Sequence, residues 1–321
     1  WAPSEGAAIE FSGSQGLIEI AVALDSLGNA DTGDRMTFRS VFVSEQEIGG
    51  TLETTDVDLL PITGPAVIAV PDLGTTTILL EVADPEKDDH GPGTYTYPTD
   101  GVFKTGNFDI TSFQVGEDDE NVVFRFSLRG PVDNVWDSPN GLSLQTFDIY
   151  IDQDQDGEGG SALLPGRNLA LDGAAWDYAI TVEGWQPGIF IPGDEGPQQI
   201  AEASEFLVLV DPGQQKVTLR IPKSILGDSP DEWKYAAAVF SQEGFPSAGV
   251  MRVRDVLPAA EQWRIGGAPA GASNHTRALD IVWATGGDQE NWLSSFEPLA
   301  AGQADLTAAD FATIPMFGIA P

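Results

Sequence analysis

Apolar residues recur at every second position in segment after segment of this chain, and few stretches keep a helical period. From Asn121 to Gly130, Val122, Phe124, Phe126 and Leu128 share one face, while Val123, Arg125, Ser127 and Arg129 take the other. Successive side chains of an extended strand point to opposite faces, so such a segment buries one face of a sheet and wets the other. Phe206–Val210 and Lys216–Ile221 repeat the pattern on either side of Asp211-Pro-Gly-Gln. That turn chemistry predicts a hairpin with Val217, Leu219 and Ile221 inward. Trp176, Tyr178, Ile180 and Val182 read as another inward row, and Trp233–Phe240 and Ala278–Trp283 as further strands. The 36 Gly and 22 Pro punctuate these runs. The expected fold is mainly β, an antiparallel β-sandwich of jelly-roll type, with a helical turn or two in Ala300–Ala312.

An internal echo bears on domain organisation. Ile18, Ile20 and Val22, then Leu27-Gly28, then Val41-Phe42 and Glu45 recur as Val217, Leu219 and Ile221, then Leu226-Gly227, then Val239-Phe240 and Glu243, with a single-residue gap between blocks. Read as repetition, this makes residues 1–80 the C-terminal part of one sandwich and 81–321 a complete one. A part-sandwich exposes an apolar face and open strand edges. Its other half would come from upstream sequence, a cleaved companion or a neighbouring copy of the chain. Trp1 in place of an initiator Met fits a piece of a longer precursor.

Fifty acidic against 15 basic residues give a formal charge of -35. A surface of that sign repels phosphate, so nucleic acid and anionic lipid are poor partners, whereas divalent cations are good ones. Without Cys there are neither disulfides nor thiolate metal sites, which leaves packing and oxygen-ligated ions as reinforcement. No apolar run approaches the roughly 20 residues that span a bilayer. The expected location is extracellular or at the cell surface, without membrane insertion.

Two loops concentrate the acids. Asp152-Gln-Asp-Gln-Asp156-Gly157 follows a strand and offers carboxylates at alternate positions, with Gly permitting a sharp turn. The twelfth position, where an EF-hand has Glu, is Leu163, so Asp152, Asp154 and Asp156 predict a strand-to-loop Ca2+ site completed from elsewhere, Asp172 among the choices. Asp84–Asp100 holds a second candidate set, Asp84, Asp88 and Asp89, with Asp109 as a further ligand. On so acidic a chain either loop would also serve as a plain solvated turn. His90 there reads as a hydrogen-bonding residue, since Ca2+ prefers oxygen. Glu117-Asp-Asp-Glu120 reads as a hairpin tip.

Pyranose rings stack on flat aromatic side chains, which makes Trp and Tyr the candidates for sugar contact. Trp136, Trp185 and Trp263 stand in loops beside Pro, Asp or Gly, with Tyr95 and Tyr97 behind them. Trp176, Trp233 and Trp283 lie within apolar runs and read as core. Catalytic constellations are missing: there are two His and no Gly-x-Ser-x-Gly, phosphate-loop or His-Glu-x-x-His motif. Asn274-His-Thr276 fits a glycosylation sequon.

Several ordered motifs resemble the C-terminal domain of glucodextranase: Asp84–Asp100, Asn107-Phe-Asp-Ile-Thr-Ser-Phe113, Trp136-Asp-Ser-Pro-Asn-Gly-Leu-Ser-Leu-Gln145, Phe147-Asp-Ile-Tyr-Ile-Asp152 and Ile314-Pro-Met316. The likeness covers about residues 81–321. The first unit, through Glu19–Leu24, Leu27-Gly28 and Gly33-Asp34, is similar to the tail of a family-9 carbohydrate-binding sandwich. This resemblance implies a non-catalytic β-sandwich with Ca2+ and a carbohydrate or cell-surface role. The expected function is a non-catalytic, extracellular, calcium-stabilised region that binds α-glucan-type polysaccharide or cell-surface glycan. The alternative is a structural subunit of a surface layer or filament, joined to neighbouring copies of itself at its strand edges.

Overall fold

In the computed structural model, the described residues are the strands between 7 and 69, as backbone elements, and residues 76–155, 159–202, 204–243, 252–282, 288–303 and 306–318. The chain divides into two compact units, Trp1–Thr75 and Thr76–Pro321. In the first, β1 (Ala7–Ser12) pairs with β2 (Leu17–Val22), β3 (Arg35–Phe38) with β6 (Ala66–Ala69), and β4 (Ser40–Ile48) with β5 (Thr51–Leu60), all antiparallel. The side chains that carry the internal echo in this unit lie outside the described residues.

The second unit runs β7 (Thr77–Ala83), β8 (Ile110–Glu117), β9 (Asn121–Leu128), β10 (Gln145–Asp152), β11 (Leu163–Leu164) and β12 (Leu169–Leu171). It continues through β13 (Tyr178–Val182), β14 (Gly188–Ile191), β15 (Gln198–Glu202), β16 (Leu207–Asp211) and β17 (Lys216–Pro222). After the turn α1 (Lys223–Leu226) come β18 (Lys234–Ser241), β19 (Ala278–Ile281), α2 (Gln289–Leu293), β20 (Ala312–Ile314) and β21 (Phe317–Gly318). One sheet has the order β16-β17-β9-β8-β7, and the other β15-β14-β13-β10-β18-β19 with β21 also on β18. The β16–β17 hairpin turns between Asp211 and Lys216, and Val217, Leu219 and Ile221 are fully buried, as their alternation requires.

Alternation also explains why the second sheet is covered on both sides. Phe147, Ile149 and Ile151 of β10 face Phe113, Phe124, Phe126 and Leu219 of the five-stranded sheet. Tyr150 of the same strand points the other way, into a smaller core with Phe240, Leu169 and Ile314. A three-stranded layer, β11-β12-β20, together with α2, lies over that outer face. The chain therefore stacks a third layer on its sandwich, and every residue of β10 is buried.

Trp176 departs from its expected row. It is buried, but in the outer core against Tyr150, whereas Ile180 and Val182 face the inner one. It precedes β13 and pairs with Ser161, so the strand's alternation does not reach it. Trp233 is core, as expected, and Trp283 lies outside the described residues. Among the described residues of the last segment, the helical content is a single 3-10 turn, Ala308–Asp310. Among the described residues, no helix is long and apolar enough to cross a membrane.

Candidate functional site

The loop joining β9 to β10 is cross-braced by its own polar side chains. Asn134 Oδ1 accepts from Ser138 N at 2.7 Å and from Ser143 Oγ at 2.7 Å, and that hydroxyl accepts from Trp136 N at 3.1 Å. Trp136 is thereby fixed half-buried beside Trp263, with ring centroids 5.7 Å apart and planes at 58°. Trp263 sits on a segment whose backbone is pinned by Thr99 N to Glu261 O at 2.9 Å and Asp100 N to Gln262 O at 3.1 Å. Its ring continues into an aromatic ladder through Phe103 (6.2 Å), Phe108 (6.4 Å) and Tyr97 (5.4 Å).

Trp185, in the β13–β14 turn, belongs to the same end. Its backbone N donates to Glu183 Oε2 at 3.0 Å, and Gln186 N donates to the other oxygen of that carboxylate. The neighbouring Gly184 O accepts from both N and Nδ2 of Asn140, which tie this turn to the Trp136 loop. Below the turn, buried Glu183 pairs with Arg252 at 3.2 Å and accepts from Gln242 Nε2 at 3.3 Å. Gln242 O in turn accepts from Arg254 Nε at 2.6 Å. Arg254 also donates to Trp263 O, and its guanidinium lies 5.8 Å from the Trp136 ring centre. One buried polar chain thus underlies all three loop tryptophans.

The two tyrosines do not join them as open platforms. Tyr95 is 2 % exposed, its hydroxyl donates to Thr276 O, and burial raises its pKa. It reads as exposed because Gly and Pro surround it, but Gly91, at φ 55°, lies directly against its ring. Tyr97 is half-buried with its ring edge-on to Phe108, and its hydroxyl donates to Asp89.

The Asp84–Asp100 loop forms a compact acidic centre with a member that sequence reasoning missed. Asp84, Asp88 and Asp280 bring carboxylate oxygens within 4.8 Å of one another. Asp280, on β19, is fully buried, and its two oxygens accept Ile110 N at 2.8 Å and Ile281 N at 2.9 Å. Burial first, then Asp84 and Asp88, push its pKa well above the ordinary carboxylate value. Asp88 is raised to about 6, mainly by burial, with Asp109 and Asp89 adding to it. Asp89 stands aside from this triad: it accepts from Tyr97 and faces Arg129 at 4.0 Å. Asp109 accepts from Arg129 and from Lys87 N at 2.8 Å. His90 hydrogen-bonds through Nδ1 with Tyr95 O at 3.0 Å, in keeping with its expected loop role.

The second cluster is Asp152, Asp154 and Asp177. Asp177, not Asp172, supplies the third carboxylate. Asp172 is exposed, whereas the Asp177 backbone N binds Ile151 O and its Oδ2 accepts from Gln153 N at 2.8 Å. Burial raises the pKa of Asp177, with Asp154 and Asp152 adding repulsion. Gln155, at φ 58°, donates its N to Asp152 Oδ1 at 2.7 Å and closes the turn. Asp156 and Gly157 lie outside the described residues.

The sequon asparagine is closed off. Asn274 is fully buried, its amide donates to Glu297 O at 2.9 Å and to Asp310 O, and its Oδ1 accepts from Leu299 N at 2.9 Å. The second histidine, His275, is also buried and contacts Asp255 Oδ1 at 3.3 Å, an ion-pair distance rather than a well-aligned hydrogen bond. Neither His90 nor His275 adjoins a hydroxyl nucleophile in a hydrogen-bonded relay among the described residues.

No curated protein matches the chain. A family model described as the C-terminal, SLH-like binding module of glucodextranase matches residues 79–308.

Proposed function

This chain belongs to the family of glucodextranase C-terminal binding modules, and from that premise we propose that it binds α-glucan-type carbohydrate without cleaving it, as a calcium-stabilised region of a larger secreted protein. The observation that carries the reading is the fixed, half-buried Trp136–Trp263 pair, with Trp185 on the adjoining turn. Indole faces held by their loops bind a pyranose at little entropic cost, because few side-chain rotors are frozen on contact. Asp100, Gln262 and Asp137 stand near the pair in sequence and structure and offer hydrogen bonds to sugar hydroxyls.

Calcium is the ion that fits the acidic clusters. Three converging carboxylates suit a hard, oxygen-seeking cation, and ordinary carboxylates at such separation repel strongly in a partly buried site. Asp84, Asp88 and Asp280 would hold one ion, and Asp152, Asp154 and Asp177 a second. Each ion would bind a loop to a strand and so keep the loop ends in register.

Titration with maltoheptaose, followed by tryptophan fluorescence, tests the carbohydrate reading. A saturable shift is expected in the parent protein, absent in Trp136→Ala and Trp263→Ala and weakened in Trp185→Ala. Release of reducing ends from glucan would contradict the non-catalytic part, and no shift with any glucan would contradict the rest. Calorimetry with calcium after chelation should show two sites, one of them lost in Asp280→Asn.

A further inference from the structure

Arg254 stands out among the buried charges. It is 6 % exposed, and among the described residues no carboxylate lies within ion-pairing distance of its guanidinium. In a chain with a formal charge of -35, a buried cation is elsewhere matched with an acid, as Arg167 is with Asp148 and Arg252 with Glu183. Arg254 instead meets two backbone carbonyls, Gln242 O and Trp263 O, and two aromatic faces, Phe103 at 6.0 Å and Trp136 at 5.8 Å. A planar guanidinium can donate in its plane and stack above and below it, which an ammonium cannot do. Its position between the Trp136 ring and the Trp263 backbone explains why the two indoles, from loops far apart in sequence, meet at a defined angle.

We infer that Arg254 is the positioning residue of the aromatic site: it sets the relative orientation of Trp136 and Trp263, and with it the affinity for a pyranose ligand. The inference rests on the carbohydrate reading for its ligand but not for its geometry. Burial lowers the pKa of Arg254 and Arg264 adds repulsion, which Glu243, the partner of Arg264, offsets only in part, so the site retains its charge at a cost that packing alone would not impose.

Two close indoles couple their transitions, so the pair should give an exciton couplet in circular dichroism, assigned by its loss in Trp136→Phe and in Trp263→Phe. Arg254→Lys and Arg254→Met should both retain the sheet spectrum, lose or invert the couplet, and weaken maltoheptaose binding roughly tenfold or more, the effect of losing one desolvated cation–π contact and its hydrogen bonds. An arginine with only a structural role would lower the melting temperature yet leave couplet and affinity of the folded protein unchanged, and that result overturns the inference. Should either variant fail to fold, the parent protein suffices: its Arg254 Hε resonance should be ring-current shifted and slow to exchange, and an unshifted, fast-exchanging proton overturns the proposal. A normal couplet response without maltoheptaose binding in the parent would instead overturn the carbohydrate reading and leave Arg254 as the organiser of the indole pair.

Discussion

Asp280 lies mid-strand between Leu279 and Ile281, where a carboxylate is costly unless something favours its charge. Its raised pKa means that, without a cation, its ionised form opposes folding at neutral pH. Asp280→Asn should therefore raise the melting temperature of calcium-free protein by roughly 2–4 °C, about 1 kcal/mol for a unit of this size. In excess calcium the order should reverse, because the parent gains the binding free energy that the variant lacks. Scanning calorimetry with chelator and with calcium checks both halves. His275 gives the opposite pH signature. Burial disfavours its charge, but Asp255 and the Ala272 carbonyl hold its pKa above the usual imidazole value. Contact with His275, then Arg277, holds Asp255 below the usual carboxylate value despite partial burial. The His275 contribution is complete below its unfolded value and is lost as pH rises through the folded one. The Asp255 contribution is lost as pH falls below about 3.8. His275→Gln should thus cost most between about pH 3.8 and 6.5 and less above, by no more than about 1 kcal/mol since Asp255 is half exposed. Urea melts across pH measure it. Asp84, Asp88 and Asp152 were legible as loop acids, whereas Asp280, Asp177 and Arg254 were not. Each sits in an apolar or unremarkable run, and only tertiary folding delivers it to its cluster. An aspartate inside the apolar Ala278–Ile281 run was the one available signal.

Elements carry their own constraints. At the end of β9 the backbone of Gly130 passes against that of Gly106, with Gly130 N donating to Gly106 O at 2.8 Å. A Cβ on Gly130 would meet Gly106 C at 2.3 Å and Asn107 N at 2.6 Å, and backbone cannot swing away as a side chain can. Gly130→Ala should destabilise by about 1–3 kcal/mol, the usual range for overpacking. Gly101→Ala, with open space around the added carbon, is the control in the same denaturation series. The strands were legible because each carries its own alternation, and β9, β16 and β17 appear within a residue or so of their apolar runs. The third layer was not. β11, β12 and β20 have two or three residues each, too few for a period to register, and β20 joins β12 in parallel from far along the chain.

At the scale of the molecule, the two sheets of the second unit have unequal surroundings. The seven-stranded sheet is covered on both faces at β10 and β18 and leaves Ile200 37 % exposed on its edge strand β15, whereas the five-stranded sheet ends at β16 and β7, where Leu207 is 38 % and Ile78 43 % exposed. Those edges are the feature that a self-assembling subunit would use. The carbohydrate reading expects a monomer in sedimentation velocity with calcium or with chelator, kept apart by a large like charge. A polymer that dissolves on chelation would favour the subunit reading instead.

The interior placement of Asn274 has a consequence for how the protein can be made. Its carboxamide holds three carbonyl and amide groups of the closing segment, so a glycan attached during translocation would leave that segment nothing to fasten onto. Production through a eukaryotic secretory route should give material that migrates heavier, shifts back with endoglycosidase and fails quality control. Bacterial production, or Thr276→Val to erase the acceptor motif, should recover yield.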